Sequence, residues 1–403
     1  MSSRTIAQCI IIPAIICVMA IAIYRNLTTV SQQQYILQAN YLLQGKLHIV
    51  DIVNFGYLDT SLSAKNGLYY WPLGIFPSIL IIPFNIVATL IGITLRQGYV
   101  QVAITPLTIF YAFLLAKKKL FSTMDALYLG FAFCFSSIYI LSAFIPWSWY
   151  FAHAVAVLLL MMALYELHHK KRWLYIGILM GLLLHTRPLS AISALVFIWE
   201  ALQTPTYVGK KKSLLYLLSP IAIGIGWYLL LNYVRFGSLF DTGYTRALVN
   251  DPQLIAARNI YGFFNIVNIP KNIYWYFFAF LNPIVDPVTN HIVWPYGSVN
   301  MYGLGFFYIS PIFLSLFLPR KFDTSMVHYW VVSICILSIL LTHYTSGYWT
   351  FGPRYMMDLL PLWYMLLLNS IEKHKLTVIH CIVIIVSGIL NLLIISNVPQ
   401  FYL

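Results

Sequence analysis

The chain has few groups able to do acid–base work, so each can be placed. Eleven residues are Asp or Glu, and 24 are Lys or Arg. Asp51, Asp59, Asp241, Asp251 and Asp286 fall in two long stretches rich in aromatic and polar residues, 24–73 and 232–302. Asp358 lies just inside an apolar run, and Asp125, Glu166, Glu200, Asp323 and Glu372 lie near the ends of others. None is central in a run, where ion-coupled carriers place their carboxylates. A carboxylate at a boundary between lipid and water is partly desolvated and so more basic. Asp59 is one candidate for a general base. Tyr69, Tyr70 and Trp71 follow it and offer aromatic faces for stacking. Asp51 is the second candidate. The plain alternative for Asp59 is a turn or helix cap, with Thr60 and Ser61 beside it.

Cations gather on the side expected to face outward: Lys65, Arg187, Arg235, Arg246, Arg258, Lys271 and Arg354. Arg187 and Arg354 stand at the ends of apolar runs, next to Pro or Gly. Arginine suits phosphate, so an anionic head group is expected at both. The alternative is a snorkelling side chain or a pair with a loop carboxylate. For Arg246, Arg258 and Lys271 that alternative is preferred. His153, near Trp147 and Trp149, is a further phosphate donor or else a packing residue. Tyr244 and Tyr355 are candidates for sugar or lipid head, against an ordinary place in an aromatic belt. His291–Tyr296 is a candidate for shaping an acceptor groove. No metal motif is present, although a loop Asp could take a divalent ion; no cofactor is expected.

These side chains need elements to hold them, and composition says which. The chain has 403 residues, 61% hydrophobic and only 9% charged, with a mean hydropathy of +0.80. A soluble domain is about 25% charged, so lipid is the main solvent here. The net charge of +13 sits in short clusters between apolar runs, as a topology signal does. Nucleic acid is therefore rejected as a partner, and membrane lipid is expected. The five cysteines, Cys9, Cys17, Cys134, Cys335 and Cys381, lie in apolar stretches and read as small core residues.

Apolar runs occupy 6–23, 74–93, 99–116, 124–144, 151–167, 173–186, 189–203, 213–231, 303–318, 327–343, 356–370 and 376–396. The first could be a cleaved signal peptide, but it is long enough to span, so an anchor is preferred. The expected fold is all-α and polytopic, with about 11–12 membrane segments. Residues 24–73 and 232–302 form two long outer-face loops carrying short interfacial helices. The chain divides into 1–231, an N-terminal membrane module with the first loop; 232–302, the second loop; and 303–403, the C-terminal spans. The expected location is the cell (inner) membrane, multi-pass.

Clusters Lys117–Lys119, His168–Arg172, Lys210–Lys212, Arg320-Lys321 and Lys373–Lys375, with Arg4, are read as cytoplasmic. One conflict follows: two full spans between 74 and 116 would put Lys117–Lys119 outside. Residues 74–93, with Pro77 and Pro83 inside and Pro72 just before, are therefore expected to lie partly along the interface. No internal repeat is seen, which argues against many transporter folds.

Six short stretches occur in order: Tyr35–Gly45; Asp59 with Asn66–Gly74; Trp149–His153; Gly181–Pro188; Asn232–Ser238 with Thr242–Tyr244; and Phe351–Tyr355 before the last spans. Together they resemble the glycosyltransferase C superfamily, in its bacterial branch near protein mannosyltransferases and lipid A aminoarabinose transferases. The resemblance implies transfer of a sugar from a polyprenyl-phosphate-linked donor, at the outer face, to a glycan, lipid or protein acceptor. It implies a first-loop carboxylate as base. Many relatives have an Asp or Asp-Glu pair soon after the first span, where this chain reads Ser31–Gln34. Asp51 and Asp59 remain in that loop. The rival readings are a transporter or flippase of lipid-linked sugars, and a degenerate, non-catalytic membrane subunit.

Overall fold

The computed structural model describes residues 3–249, 251–318, 324–347 and 350–397. Arg320, Lys321 and Asp323 lie outside the described residues, as do the side chains of Arg4, Cys9, Trp294 and Glu372. The protein is a mostly helical membrane protein. Among the described residues, five helices are long and apolar enough to cross a membrane.

In chain order the helices begin with α1 (Ser3–Thr28), α2 (Gln34–Leu43), α3 (Ile52–Phe55), α4 (Phe76–Leu90) and α5 (Gln97–Lys118). Next come α6 (Thr123–Phe135), α7 (Ile140–Phe144), α8 (Ser148–His169), α9 (Trp173–Leu184), α10 (Ala194–Leu202) and α11 (Tyr207–Phe236). The second loop holds α12 (Pro252–Tyr261) and α13 (Ile269–Ile273). After it come α14 (Phe306–Ile309), α15 (Val327–Thr342), α16 (Leu360–Ser370) and α17 (Val378–Asn397). The expected run 303–318 is not one helix. Pro311 cannot donate to a continuing helix, and the chain passes from α14 into a 3-10 segment, Pro311–Phe317.

Two ends of the bundle can be told apart by their contacts. At one end, His168 Nε2 lies 3.3 Å from the Tyr329 hydroxyl and His328 Nε2 3.4 Å from Glu200 Oε1. At the other end, Ser148 N donates to Gln32 O at 3.1 Å and Phe76 N to His185 O at 3.0 Å. This second end carries the candidate site. α5 also begins there, because Arg96 Nη1 reaches Leu27 O at 3.2 Å and Gln97 Nε2 reaches Pro146 O at 2.8 Å. The chain thus enters and leaves α4 at the same end. With 15 residues, α4 is about 22 Å long, short of a bilayer core of about 30 Å. Its outer face is apolar, with Leu90 at 80% exposure.

The core centres on α8, which has the most deeply buried span. α11 is the opposite, mostly exposed along its length. It is held by α9, which runs parallel to it with Gly177 and Gly181 four residues apart. A Cβ on Gly177 would stand 2.4 Å from Leu217 O, and one on Gly224 would stand 3.1 Å from Gly181 Cα. In lipid, where apolar surface gains little by burial, such small-residue contacts let backbones pack closely.

The two long loops contain more than the expected short helices. The first carries a small hairpin, β1 (Ser61–Leu62) against β2 (Tyr69–Tyr70). The second carries a longer one, β3 (Asn282–Val285) against β4 (Ile292–Ser298). Among the cysteines, Cys134 and Cys381 are buried, whereas Cys17 and Cys335 are exposed on the outside of the bundle. The core assignment is corrected for those two. Both lie on helices whose outer faces meet lipid, where a small thiol is as well suited as in a core.

Candidate functional site

The two long loops are joined to each other. Asp59 N donates to Leu248 O, and Leu248 N to Thr60 O, both at 2.9 Å. Ser61 Oγ donates to Gly243 O at 2.7 Å. Gly243 has φ +78°, and a Cβ there would sit 2.4 Å from the Phe236 ring, so the position requires glycine. The second loop is tied in turn to the 343–345 segment: Lys271 Nζ donates to Tyr344 O at 2.7 Å.

This clamp fixes Asp59, which is half-buried and has φ 58°. Asp tolerates this left-handed region better than most residues, but it remains uncommon. The carboxylate faces α8, where Trp149 Nε1 donates to Asp59 Oδ2 at 2.5 Å. Burial pushes the Asp59 carboxyl above its ordinary value of 3.8; the indole hydrogen bond and the charges of Arg354 and Arg258 offset part of that rise.

Arg354 lies over the ring of the same indole. Its guanidinium carbon lies 5.9, 5.8 and 5.4 Å from the ring centres of Trp149, Tyr150 and Tyr355. Its Nε is buried with no hydrogen-bond partner. Among the described residues no carboxylate comes within ion-pair distance of it. Aromatic faces stabilise a guanidinium without neutralising it, so Arg354 keeps a charge available to an anion.

Arg187 differs. Its Nε and Nη2 meet Asp358 Oδ1 and Oδ2 at 2.6 and 2.9 Å, a bidentate pair. Ser190 Oγ adds a bond to Asp358 Oδ1 at 2.6 Å. The Arg187 charge is thus largely met within the protein. Tyr355 connects the two arginines, since Arg187 also lies over its ring at 5.7 Å. His153, 1% exposed, places Nδ1 3.6 Å from Asp358 Oδ1, and neither ring nitrogen has a hydrogen-bond partner.

The remaining candidates are dispersed. Asp51 is exposed and caps α3: its Oδ1 accepts from Val53 N and Asn54 N, both at 3.1 Å. Lys65 is exposed; its Nζ meets Tyr233 O at 3.3 Å at the end of α11. Tyr70 is buried edge-on to Phe236 and accepts from Asn66 Nδ2 at 2.9 Å, while Tyr69 is half-buried beside it in β2. Neither Tyr70 nor Asp51 therefore lies in the cluster around Trp149. Tyr244 is half-buried at the loop junction. Burial pushes its phenol well above the usual range, and it also feels the charges of Arg187 and Asp59. Arg246 pairs with Asp241 at 2.5 Å, and Arg258 donates to Ala247 O at 2.6 Å, so these cations have local partners. No group of three or more His, Cys, Asp or Glu among the described residues is placed to hold a metal ion.

Two participants escaped assignment from sequence. Trp149 was read only within its motif, and Asp358 only as a span-end carboxylate. Spacing offered one clue: Trp149 and His153 are four apart, hence on one helix face. The Gln32–Gln34 stretch has a structural role. Gln34 Nε2 donates to Gln32 Oε1 at 2.6 Å, and Ser148 Oγ to Gln34 Oε1 at 2.6 Å. Gln33 Oε1 accepts from Gln97 N at 2.8 Å. These amides join the first loop to α5 and α8.

Comparison with family models, with characterised proteins and with solved structures found nothing that matches this chain.

Proposed function

We propose that the protein is an inverting membrane glycosyltransferase. It moves a sugar from a polyprenyl-phosphate-linked donor to an acceptor hydroxyl at the outer face, with Asp59 as base. One observation carries this reading: the Trp149 indole contacts both a carboxylate of raised pKa, to which it donates, and an arginine that has no carboxylate partner among the described residues. A base and an oxyanion cation held against one aromatic ring are what such a transfer needs.

In this step the acceptor oxygen forms a bond to the anomeric carbon as the bond from that carbon to the phosphate oxygen breaks. The electron pair leaves with the phosphate, whose developing charge Arg354 stabilises. The acceptor proton goes to Asp59. Arg187, bound to Asp358, acts by holding Tyr355 and the 354–358 turn in place. The carrier or flippase reading uses the same arginine but gives Asp59 no proton to take. The degenerate-subunit reading draws on the Gln32–Gln34 network, in which neutral amides stand where many relatives of the resembled family have acids.

The test is transfer of radiolabelled sugar from a polyprenyl-phosphate donor by purified protein in liposomes. Asp59→Asn is expected to lose on the order of 10²–10⁴-fold in rate while still binding the donor. Full transfer by Asp59→Asn would sink the assignment.

A further inference from the structure

One titratable group beside the Arg354 centre has no part in the transfer step. His343 follows the last residue of α15 and is half-buried. Its Nδ1 lies 2.7 Å from Thr345 O, and the Thr345 amide nitrogen is farther away, at 3.4 Å. A carbonyl oxygen only accepts, so Nδ1 carries the hydrogen. The charges acting on the ring are those of Lys271, Arg187 and Arg354, which favour its uncharged form. Nε2 is left with a lone pair and, among the described residues, with no hydrogen-bond partner.

Two sets of contacts hold this ring. One is with the second loop: Phe263 and Phe264 stand 4.8 and 5.5 Å from it. The backbones also pair there, with Tyr344 N donating to Phe263 O at 3.0 Å. The other set leads to the Arg354 centre. Tyr355, over which both Arg187 and Arg354 lie, meets His343 edge-on at 5.6 Å. Tyr344, 4.7 Å from the His343 ring, is within electrostatic reach of Asp59 and Arg354. One tyrosine beside His343 thus touches the cation, and another feels the base.

In the proposed transfer the sugar joins those two groups. Its anomeric carbon is bonded to the donor phosphate and is attacked by the oxygen that Asp59 deprotonates. A lone pair on Nε2 repels a carboxylate, and the cations around the ring repel an ammonium. A neutral hydroxyl meets neither penalty. The half-buried rings of Phe263 and Tyr355 leave aromatic surface for the C–H groups of a sugar. We infer that His343 Nε2 accepts a hydrogen bond from a hydroxyl of the transferred sugar, and that this position selects an uncharged sugar over an amino sugar or a uronic acid. This rests on the reading that the Arg354 centre takes the donor phosphate.

The test measures binding to the full chain in detergent. The probes are farnesyl phosphate and its conjugates with mannose, glucose, galactose, glucuronic acid and aminoarabinose. In the wild type at least one neutral conjugate is expected to bind about tenfold tighter than farnesyl phosphate, and the two charged conjugates no tighter than it. His343→Asn keeps a donor for Thr345 O but loses the acceptor at Nε2. It is expected to lose about 3–10-fold in affinity for that neutral conjugate and to hold farnesyl phosphate as the wild type does. His343→Gln returns an acceptor near the Nε2 position and recovers part of the loss. The inference is overturned if no neutral conjugate outbinds farnesyl phosphate, or if a charged conjugate binds tightest. It is equally overturned if His343→Asn binds the neutral conjugate as the wild type does, or loses farnesyl phosphate to the same extent, which marks a structural role. Arg354→Gln tells the failures apart. If that variant binds farnesyl phosphate normally, the donor reading falls and this inference with it. If farnesyl phosphate needs Arg354 while the gain from the sugar ignores His343, the sugar assignment alone falls.

Discussion

Asp59 combines an unusual backbone conformation with a desolvated carboxylate, and both have measurable consequences. Its folded pKa is raised above its unfolded value. Such an acid contributes stability below its unfolded pKa and loses it as pH rises through the folded value. Asp59→Asn is therefore expected to unfold at the same or a higher temperature than wild type at neutral pH, while transfer is lost. The reverse pattern would mark Asp59 as structural. Transfer by the wild type should fall on the acid side, at a pH above the ordinary carboxylate range. In Trp149→Phe the hydrogen bond that lowers the Asp59 pKa is gone. The acid limb of its pH–rate profile is expected to move to higher pH, and an unmoved limb would exclude Asp59 as the titrating base. Arg187 and Asp358 make a different prediction. The Asp358 side chain is fully buried, so Arg187→Gln leaves an uncompensated charge at a loss of about 3–5 kcal/mol. In thermal unfolding, Arg187→Gln paired with Asp358→Asn should recover part of that loss.

At the scale of elements, the contact between α9 and α11 determines where Arg235 is held. Gly177 leaves no room for a Cβ against Leu217 O. Gly177→Val is expected to cost about 1–3 kcal/mol by overpacking, read as a lower unfolding midpoint in detergent, whereas a lipid-facing change such as Ile223→Val should be near neutral, since Ile223 is 74% exposed. α4 shows how sequence and structure divide the work. Its prolines and the charge conflict around Lys117–Lys119 predicted a segment that does not simply cross. Only the contacts of Arg96 and Gln97 with Leu27 and Pro146 show that α5 starts at the site end. Those contacts join residues far apart in the chain, and no local pattern encodes them.

For the whole molecule, both loops sit at one end of the bundle and the basic clusters at 168–172 and 210–212 sit at the other. A cysteine at Val288, 90% exposed on the second hairpin, and one at Lys211, at the start of α11, should face opposite sides of the membrane. With native cysteines removed, a membrane-impermeant thiol reagent added outside sealed cells should label the first and spare the second. Labelling of both from outside would refute the orientation. The hairpin also stands away from the clamp made by residues 59–61 with 243 and 248. Limited proteolysis should therefore cut near residues 286–291 before it cuts either clamped strand.

Composition and apolar periodicity alone determined that the chain lives in lipid and is helical. Most expected runs match a helix within about six residues, whereas 124–144 is divided between α6 and α7 and 303–318 is not one helix. The reason is that lipid leaves the backbone few ways to satisfy its hydrogen bonds, so span positions are written locally. The cluster around Trp149 was legible in part: Asp59, Arg354, His153 and Tyr355 were named from residue type and position. What only the tertiary structure decided is which charges are already met. Arg187 and Arg354 look alike in sequence, yet one meets Asp358, 171 residues away, in a bidentate pair, and the other meets tyrosines and a tryptophan but, among the described residues, no carboxylate. Arg235 reads as an ordinary helix-end cation until its surroundings, among the described residues, show no carboxylate. Ion pairing depends on distances between segments distant in the chain, and folding alone sets those distances.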